Sequence, residues 1–176
     1  FQDKVLFRDA SFSFPEGRCS TIIAPSGRGK TTLMRMLCGL DRDFMGSVDG
    51  MPRRPVVLFQ EDRLAEGISV LSNLMAVTDD RASALSMLSS VGLEGEERSL
   101  VSTLSGGMKR RVAIARALLV DFDALFLDEP FSGLDEATKR KIASLILRVA
   151  VGRTIILITH SEEDAALLSS SSVVRL

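Results

Sequence analysis

The chain has 176 residues, and this length predicts one domain that is large enough to bury a hydrophobic core. Hydrophobic residues make up 45% and charged residues 26% of the sequence, which is typical of a globular protein and excludes a disordered one. The formal net charge of −1 lacks the clustered positive charge of a nucleic-acid-binding protein, so we expect no nucleic acid among the partners.

The segment before the turn residues at 15–17 predicts antiparallel strands, because hydrophobic and polar residues alternate in it. The chain starts with Phe rather than Met, and we expect the natural protein to begin upstream. The alternating hydrophobic residues are Val5, Phe7, Phe12 and Phe14.

From residue 19 onward, short apolar segments alternate with segments of helical periodicity. This alternation predicts an α/β fold with a mainly parallel sheet. Cys19 and Cys38 lack the spacing of metal ligands, so we expect buried, reduced thiols. No uninterrupted apolar run reaches the roughly 18 residues of a membrane-spanning helix, so a membrane role would require a partner. The predicted strands are 20–24, 56–59, 124–127, 154–158 and 173–176, and the predicted helices are 30–40, 69–77, 81–91, 108–119, 135–149 and 162–168.

A glycine-containing loop at 24–31 connects the first of these strands to the first helix. Gly27 and Gly29 allow backbone N–H groups to turn toward phosphate oxygens, and the helix N-terminus adds partial positive charge. Lys30 would supply a full positive charge to the β- and γ-phosphates, and the Thr31 hydroxyl can bind Mg²⁺. The alternative is an ordinary strand-to-helix turn with a surface lysine. The predicted nucleotide contacts are Pro25, Ser26, Gly27, Arg28, Gly29, Lys30, Thr31 and Thr32.

Two acidic residues, Asp128 and Glu129, end a fully apolar strand. The carboxyl ends of parallel strands form the edge where α/β proteins bind ligands. We expect Asp128 to hold Mg²⁺ and Glu129 to act as the general base on a water in line with the γ-phosphate. Alternatively, the two acids simply begin a solvated loop.

A second anion-binding helix start is predicted at 104–108, where Ser105 caps a helix and Gly106 and Gly107 follow it. One nucleotide does not require two such helix starts in one chain. The alternative is an ordinary capped helix.

Together these motifs resemble the nucleotide-binding domains of ABC transporters, whose signature is this Leu-Ser-Gly-Gly segment at 104–107. The resemblance covers essentially the whole chain and implies a P-loop NTPase fold that binds ATP and Mg²⁺. In that family two domains pair head to tail, so Ser105, Gly106 and Gly107 would close over the ATP of a second copy. Ala24 and Met108 depart from the commoner Gly and Gln of the family.

The resemblance also assigns four single residues. Gln60 matches the glutamine that contacts Mg²⁺ or the attacking water, and His160 matches the histidine that contacts the γ-phosphate. Asp135 matches an acid that reaches across the dimer, although it can also be a helix cap. Phe1 aligns with the aromatic residue that stacks on adenine.

The basic run 109–111 is predicted to be the solvated face of a helix, with an anionic partner as the alternative.

The resemblance further implies that 1–176 is a single ABC ATPase domain with a RecA-like core at 1–60 and 120–176. The core includes the N-terminal β portion, and about 61–119 forms a small α-helical subdomain with the signature motif. We expect a homodimer that couples ATP hydrolysis to transport by integral membrane permease subunits. It would lie in the cytoplasm on the inner face of the cell membrane, with a substrate-binding protein as a further partner.

The segments 59–64 and 68–74 look like those of importer ATPases for nitrate, sulfonate, taurine or thiamine-type substrates. Two alternatives stay open at the level of sequence. One is a soluble ABC ATPase that does not transport, and the other is a regulatory subunit that binds ATP but hydrolyses it weakly.

Overall fold

A computed structural model describes residues 6–25 and 27–176. Its five strands form one sheet in which all the pairings are parallel, and this confirms the predicted α/β fold. The strands are β1 (Cys19–Ile23), β2 (Pro55–Leu58), β3 (Ala124–Asp128), β4 (Thr154–Thr159) and β5 (Ser172–Arg175). Their order across the sheet is β2-β3-β4-β1-β5.

Six α-helices connect the strands or cover the sheet in the described residues, and none of them is long and apolar enough to cross a membrane. The predicted helices all form, with ends that differ by a few residues. They are α1 (Lys30–Leu37), α2 (Val70–Met75), α3 (Arg81–Ser90), α4 (Gly106–Leu119), α5 (Glu136–Val149) and α6 (Glu162–Leu167).

The helices differ in how their first turns are capped. The side chains of a Ser or Asp accept a backbone hydrogen bond at the start of α2 to α6, which is the usual reason for a helix to begin there. Helix α1 instead starts after Gly29, which offers no side-chain acceptor. The first N–H groups of α1 therefore have no side-chain cap.

The sheet is buried on both faces, which explains why its strands read as apolar runs. Along β3, Leu125 and Leu127 belong to a core cluster that also contains residues of α2 to α6. The alternate residues Ala124 and Phe126 belong to a second cluster with residues of α1. The two-residue period of a strand thus distributes one apolar segment over two cores.

The N-terminal segment differs from its prediction, because no strand is assigned from 6 to 18. A strand requires a neighbouring backbone with which to form a hydrogen-bond ladder. Side-chain packing accounts for the hydrophobic alternation here, since Phe7, Phe12 and Phe14 pack against the second cluster. Phe7 and Phe12 meet edge to face with ring centroids 5.7 Å apart. Val5 lies outside the described residues.

Helices α2 and α3 pack on each other and on α4, and α4 also packs on β2. Strand β3 pairs with β4 so that Asp128 lies opposite Ile158. The ends of β3 and β4 and the loop after β1 therefore meet at one edge of the sheet. This edge is where the predicted functional residues lie.

Candidate functional site

The glycine-containing loop after β1 has the backbone geometry that its sequence predicts. Gly27 and Gly29 adopt φ values of +78° and +85°, a region that other residues enter at a cost. A Cβ at Gly29 would also lie only 2.9 Å from Cζ of Phe7, so a larger residue there would require the Phe7 ring to move. Ser26, one of the predicted contacts, lies outside the described residues.

Lys30 folds back onto this loop. Its Nζ donates to the carbonyl oxygen of Ala24 at 2.5 Å and to that of Pro25 at 3.2 Å. The ammonium group therefore lies against the loop, next to the uncapped start of α1. Backbone N–H groups and a positive charge at one place form a site that suits an anion.

Thr31 and Asp128 are joined directly. The hydroxyl of Thr31 donates to Oδ2 of Asp128 at 3.0 Å and connects the start of α1 to the end of β3. Asp128 is only 3% exposed, and burial raises the pKa of its carboxyl above the usual range. The hydrogen bond from Thr31 acts in the opposite direction and partly offsets this effect.

The Thr31 and Asp128 oxygens suit Mg²⁺, which prefers oxygen ligands and keeps several waters or phosphate oxygens in its shell. Among the described residues, no group of three or more His, Cys, Asp or Glu side chains is placed to hold a metal ion. A metal here would thus take most of its ligands from water and a bound anion. Gln60, the third predicted metal ligand, is exposed and follows β2 by two residues.

Glu129 and His160 form a second pair at the same edge. Oε1 of Glu129 lies 2.7 Å from Nδ1 of His160, and Oε2 accepts a hydrogen bond from the Thr159 hydroxyl at 3.2 Å. Glu129 adopts a left-handed φ of +48°, and its N–H donates to the Ile158 carbonyl at 2.9 Å. Such strain in a non-glycine residue is typical of functional sites, where the surrounding structure holds it.

The start of α4 is built separately. Ser105 Oγ accepts a long hydrogen bond of 3.3 Å from the N–H of Met108, and Ser105 and Gly106 are exposed. In the described part of the chain, no hydrogen bond joins residues 105–107 to the groups around Asp128. A Cβ at Gly107 would lie 3.0 Å from the Gly133 carbonyl oxygen, so the start of α4 approaches the loop before α5 closely.

Asp135 is the N-cap of α5, as the alternative reading of its position anticipates. One carboxylate oxygen accepts from the Thr138 N–H at 2.9 Å and the other accepts from the Thr138 hydroxyl at 2.6 Å. These bonds lower the pKa of the Asp135 carboxyl, first the one from the hydroxyl and then the one from the backbone.

The prediction that residues 109–111 form a solvated face is wrong for Arg110, whose exposed fraction is 3%. Its guanidinium donates to backbone carbonyls after β2 and β3 and pairs with Asp62. The helical spacing of the apolar residues indicates that Arg110 is buried. Ala113, Ile114 and Ala117 lie three, four and seven residues after it and define a buried face.

The two neighbours of Arg110 also have partners within the chain. Lys109 Nζ lies 2.7 Å from Oε1 of Glu66. Arg111 donates to the Val91 and Gly92 carbonyl oxygens at 3.1 and 2.8 Å.

Two further predictions concern residues away from the sheet edge. Phe1, the predicted adenine contact, lies outside the described residues. Cys19 and Cys38 are buried free thiols, as predicted. Burial raises the pKa of Cys19 to about 12, and burial also raises the pKa of Cys38.

Comparison with known proteins agrees with this geometry. Residues 7–132 match the protein-family model described as ABC transporter. The chain is 41% identical over 180 residues to the aliphatic sulfonates import ATP-binding protein SsuB 1 of Paracoccus denitrificans, covering 99% of this chain and 74% of that protein. It is 38% identical to the protein of the same name from Pseudomonas savastanoi pv. phaseolicola, covering 99% of this chain and 76% of that protein.

Among solved structures, the fold is similar to a dimeric, post-hydrolysis ATP-binding cassette bound to ADP and Pi. The TM-score is 0.83 at 25% identity, and the match covers 97% of this chain and 86% of that chain.

Proposed function

This chain belongs to the ABC transporter family as an ATP-binding and ATP-hydrolysing subunit, and from that premise we propose that it drives the import of an aliphatic sulfonate. The substrate class rests on relatives that are 37–41% identical and are named as sulfonate import proteins. The observation that carries the ATPase mechanism is the convergence of the Thr31–Asp128 and Glu129–His160 pairs at one sheet edge.

In the proposed site, the phosphates of ATP occupy the loop before α1. The uncapped N–H groups of that helix and the ammonium of Lys30 face the β- and γ-phosphates. Arg28, Thr31 and Thr32 belong to the same loop and helix start. Phe1 and Ser26 are assigned to the nucleotide by their place in the family pattern alone.

Thr31, Asp128 and Gln60 are the residues that we assign to Mg²⁺. When it is bound, the ion neutralises charge on phosphate oxygens of the nucleotide. The buried carboxylate of Asp128 explains why such a site favours a cation, because an unpaired charge is costly in a buried position.

We assign hydrolysis to the Glu129–His160 pair. Glu129 accepts a proton from water while the water oxygen forms a bond to the γ-phosphorus, and the bond from that phosphorus to the bridging oxygen of ADP breaks. His160 contacts Oε1 of Glu129 through Nδ1 at 2.7 Å, so its other ring nitrogen is the one that would contact the γ-phosphate. Thr159 holds the second carboxylate oxygen, so both oxygens have a fixed orientation.

Ser105, Gly106 and Gly107 complete the ATP site of a second copy in this proposal. Support comes from the exposure of Ser105 and Gly106, from the absence of hydrogen bonds to Asp128 and its neighbours in the described ranges, and from the dimeric state of the similar cassette. Asp135 follows Gly133 by two residues, and the Gly133 carbonyl lies close to Gly107. We therefore assign Asp135 to the dimer interface as well. ATP then joins two subunits, and its hydrolysis separates them.

We assign the contact with the permease to the helical subdomain at about 61–119, as distinct from the core at 1–60 and 120–176. Helices α2 and α3 pack mainly on each other and on α4, and α4 joins them to the core of the sheet. The subunit would act on the cytoplasmic face of the membrane, bound to integral permease subunits that receive cargo from a substrate-binding protein.

Phosphate release from Mg-ATP tests this function with the purified chain and with proteoliposomes that contain its permease and an alkanesulfonate. Coupled transport predicts turnover that rises with the complete system, together with uptake of the sulfonate. Equal turnover with and without the permease would indicate a non-transport ATPase. ATP binding without turnover in either sample would indicate a regulatory subunit.

A further inference from the structure

Arg110 is a buried cation that the roles proposed so far do not use. It lies one turn into α4, the helix whose first residues carry the signature motif, and its side chain is 3% exposed. A buried guanidinium is stable only when its N–H groups have acceptors. All five N–H groups have acceptors here, and they lie in two segments of the ATPase site.

One side of the guanidinium binds the loop after β3. Its Nε donates to the Pro130 carbonyl oxygen at 3.1 Å. The NH2 group donates to the Asp128 and Glu129 carbonyl oxygens at 2.6 and 2.9 Å. Three successive backbone carbonyls are thus held by one side chain.

The other side of the guanidinium binds the loop after β2. Its NH1 group donates to the Phe59 carbonyl oxygen at 2.7 Å and to that of Gln60 at 3.3 Å. It also pairs with Oδ1 of Asp62 at 3.1 Å, which supplies a counter-charge that is itself only 24% exposed.

Arg110 also holds Glu129 in its strained conformation. The N–H of Glu129 donates to Ile158 on β4, and its carbonyl accepts from Arg110 on α4. The left-handed φ of +48° is therefore fixed from both sides of the residue. Without Arg110 the backbone carbonyls at 128–130 lose a buried donor, and the carbonyl side of Glu129 is no longer held.

We propose that Arg110 is a positioning residue of the ATPase, which aligns the backbone of Glu129 and Gln60 and connects both to the helix that carries Ser105. This role rests on the proposed function of Glu129 as the general base. Because Arg110 lies on α4, the orientation of Glu129 depends on the position of that helix. The ATP site of one subunit is thereby linked to the surface at Ser105, which meets the ATP of the second subunit.

The test compares Arg110→Met, Arg110→Lys and Lys109→Met. Methionine keeps the apolar part of the side chain and removes every donor, whereas lysine keeps the charge and up to three donors. Lys109→Met is the matched control, because it removes from the same helix a cation whose side-chain partner is Glu66 rather than a residue of the ATPase site.

We expect Arg110→Met to lower kcat by about 10- to 100-fold, as a misplaced catalytic group does, while the Kd for ATP changes by less than about 3-fold. Arg110→Lys should recover part of kcat. Lys109→Met should leave kcat near that of the parent. A kcat within about 3-fold of the parent in folded Arg110→Met, or an equal loss in Lys109→Met, would overturn the proposal.

A combined variant separates this proposal from the function of Glu129. In the Glu129→Gln background, Arg110→Met should cause a much smaller loss in single-turnover hydrolysis than in the parent, because the base is gone and only Gln60 is left to be misplaced. A full additional loss would overturn the positioning role, whereas parental turnover in Glu129→Gln alone would instead overturn the assignment of the base. If Arg110→Met does not fold, Arg110→Lys and Arg110→Gln replace it in the test. Parental kcat in both of these variants would overturn the proposal.

Discussion

Oε1 of Glu129 and Nδ1 of His160 lie 2.7 Å apart, although the Glu129 side chain is 12% exposed and that of His160 is 74% exposed. A sheltered carboxylate is thus joined to a solvent-facing imidazole. When Nδ1 donates to the carboxylate, Nε2 is the nitrogen left to meet an approaching group. The pair therefore connects the buried end of β3 to the surface where a nucleotide would arrive.

Glu129→Gln should abolish most of the turnover and preserve ATP binding. The amide keeps the size of the side chain but cannot accept a proton, and general-base catalysis typically contributes about 10²- to 10⁴-fold. Steady-state phosphate release and equilibrium binding of ATP measure the two effects separately.

Glu162→Gln is the matched control for that variant, because Glu162 is an exposed acid on α6 that pairs with Arg175. Turnover of the control should equal that of the parent. Unimpaired hydrolysis in Glu129→Gln would show that another group accepts the proton.

Lys30→Ala should weaken ATP binding by about 10- to 100-fold, because a charged hydrogen bond to phosphate contributes about 1.5–3 kcal/mol. The control is Lys141→Ala, which removes an exposed lysine from α5. Titration with a fluorescent ATP analogue provides the measurement. Equal affinity of Lys30→Ala and the parent would contradict the phosphate loop.

Asp128→Asn should stabilise the ligand-free fold and weaken Mg-ATP binding. Burial raises the pKa of Asp128 above its ordinary 3.8, so the folded state binds more protons than the unfolded one between these values. Stability consequently falls as pH rises above 3.8, and the penalty is fully developed above the pKa of the folded state. Asp128→Asn removes this penalty and should raise the Tm of the ligand-free protein at pH 7.

Thermal unfolding of the parent and Asp128→Asn at several pH values measures this effect. The difference in Tm should shrink as the pH falls and should vanish below 3.8, where the carboxyl is protonated in both states. A variant that is less stable than the parent at pH 7 would contradict a destabilising carboxylate.

Cys19 should not react with Ellman's reagent at pH 8 while the protein is folded. Its pKa of about 12 leaves almost no thiolate, and its burial excludes the reagent. We expect the rate to be at least about 100-fold below that of free cysteine. Urea should release the reactivity of both thiols, and rapid labelling of Cys19 without denaturant would contradict its placement.

The motifs on strand ends could be predicted because their chemistry is local. A loop with glycines before Lys30, or an acid after the apolar residues of β3, indicates its own position in a parallel sheet. The capping residues of α2 to α6 likewise indicate where those helices begin. The sequence therefore predicts the sheet, the helices and the grouping of Thr31 with Asp128.

Arg110 and the N-terminal segment could not be assigned in the same way. A basic run usually faces solvent, and only the helical face shared with Ala113 and Ala117 indicates that Arg110 is buried. Its acceptors at 59–60 and 128–130 are distant in sequence, so the fold alone brings them together. The alternation of Phe12 and Phe14 indicates a buried face, but it does not supply the neighbouring backbone that a strand requires.

In the proposed dimer, residues 105–107 of one subunit complete the ATP site of the other. Gly106 has open space where a Cβ would be added, so Gly106→Asp should leave the subunit folded while placing a negative charge beside the partner's phosphates. The Glu129→Gln background prevents hydrolysis from separating the dimer.

Sedimentation equilibrium with Mg-ATP should give Glu129→Gln a mass of about twice 19.1 kDa. The Glu129→Gln, Gly106→Asp double variant should remain at 19.1 kDa while it still binds ATP. A double variant that dimerises as fully as Glu129→Gln would contradict the shared site.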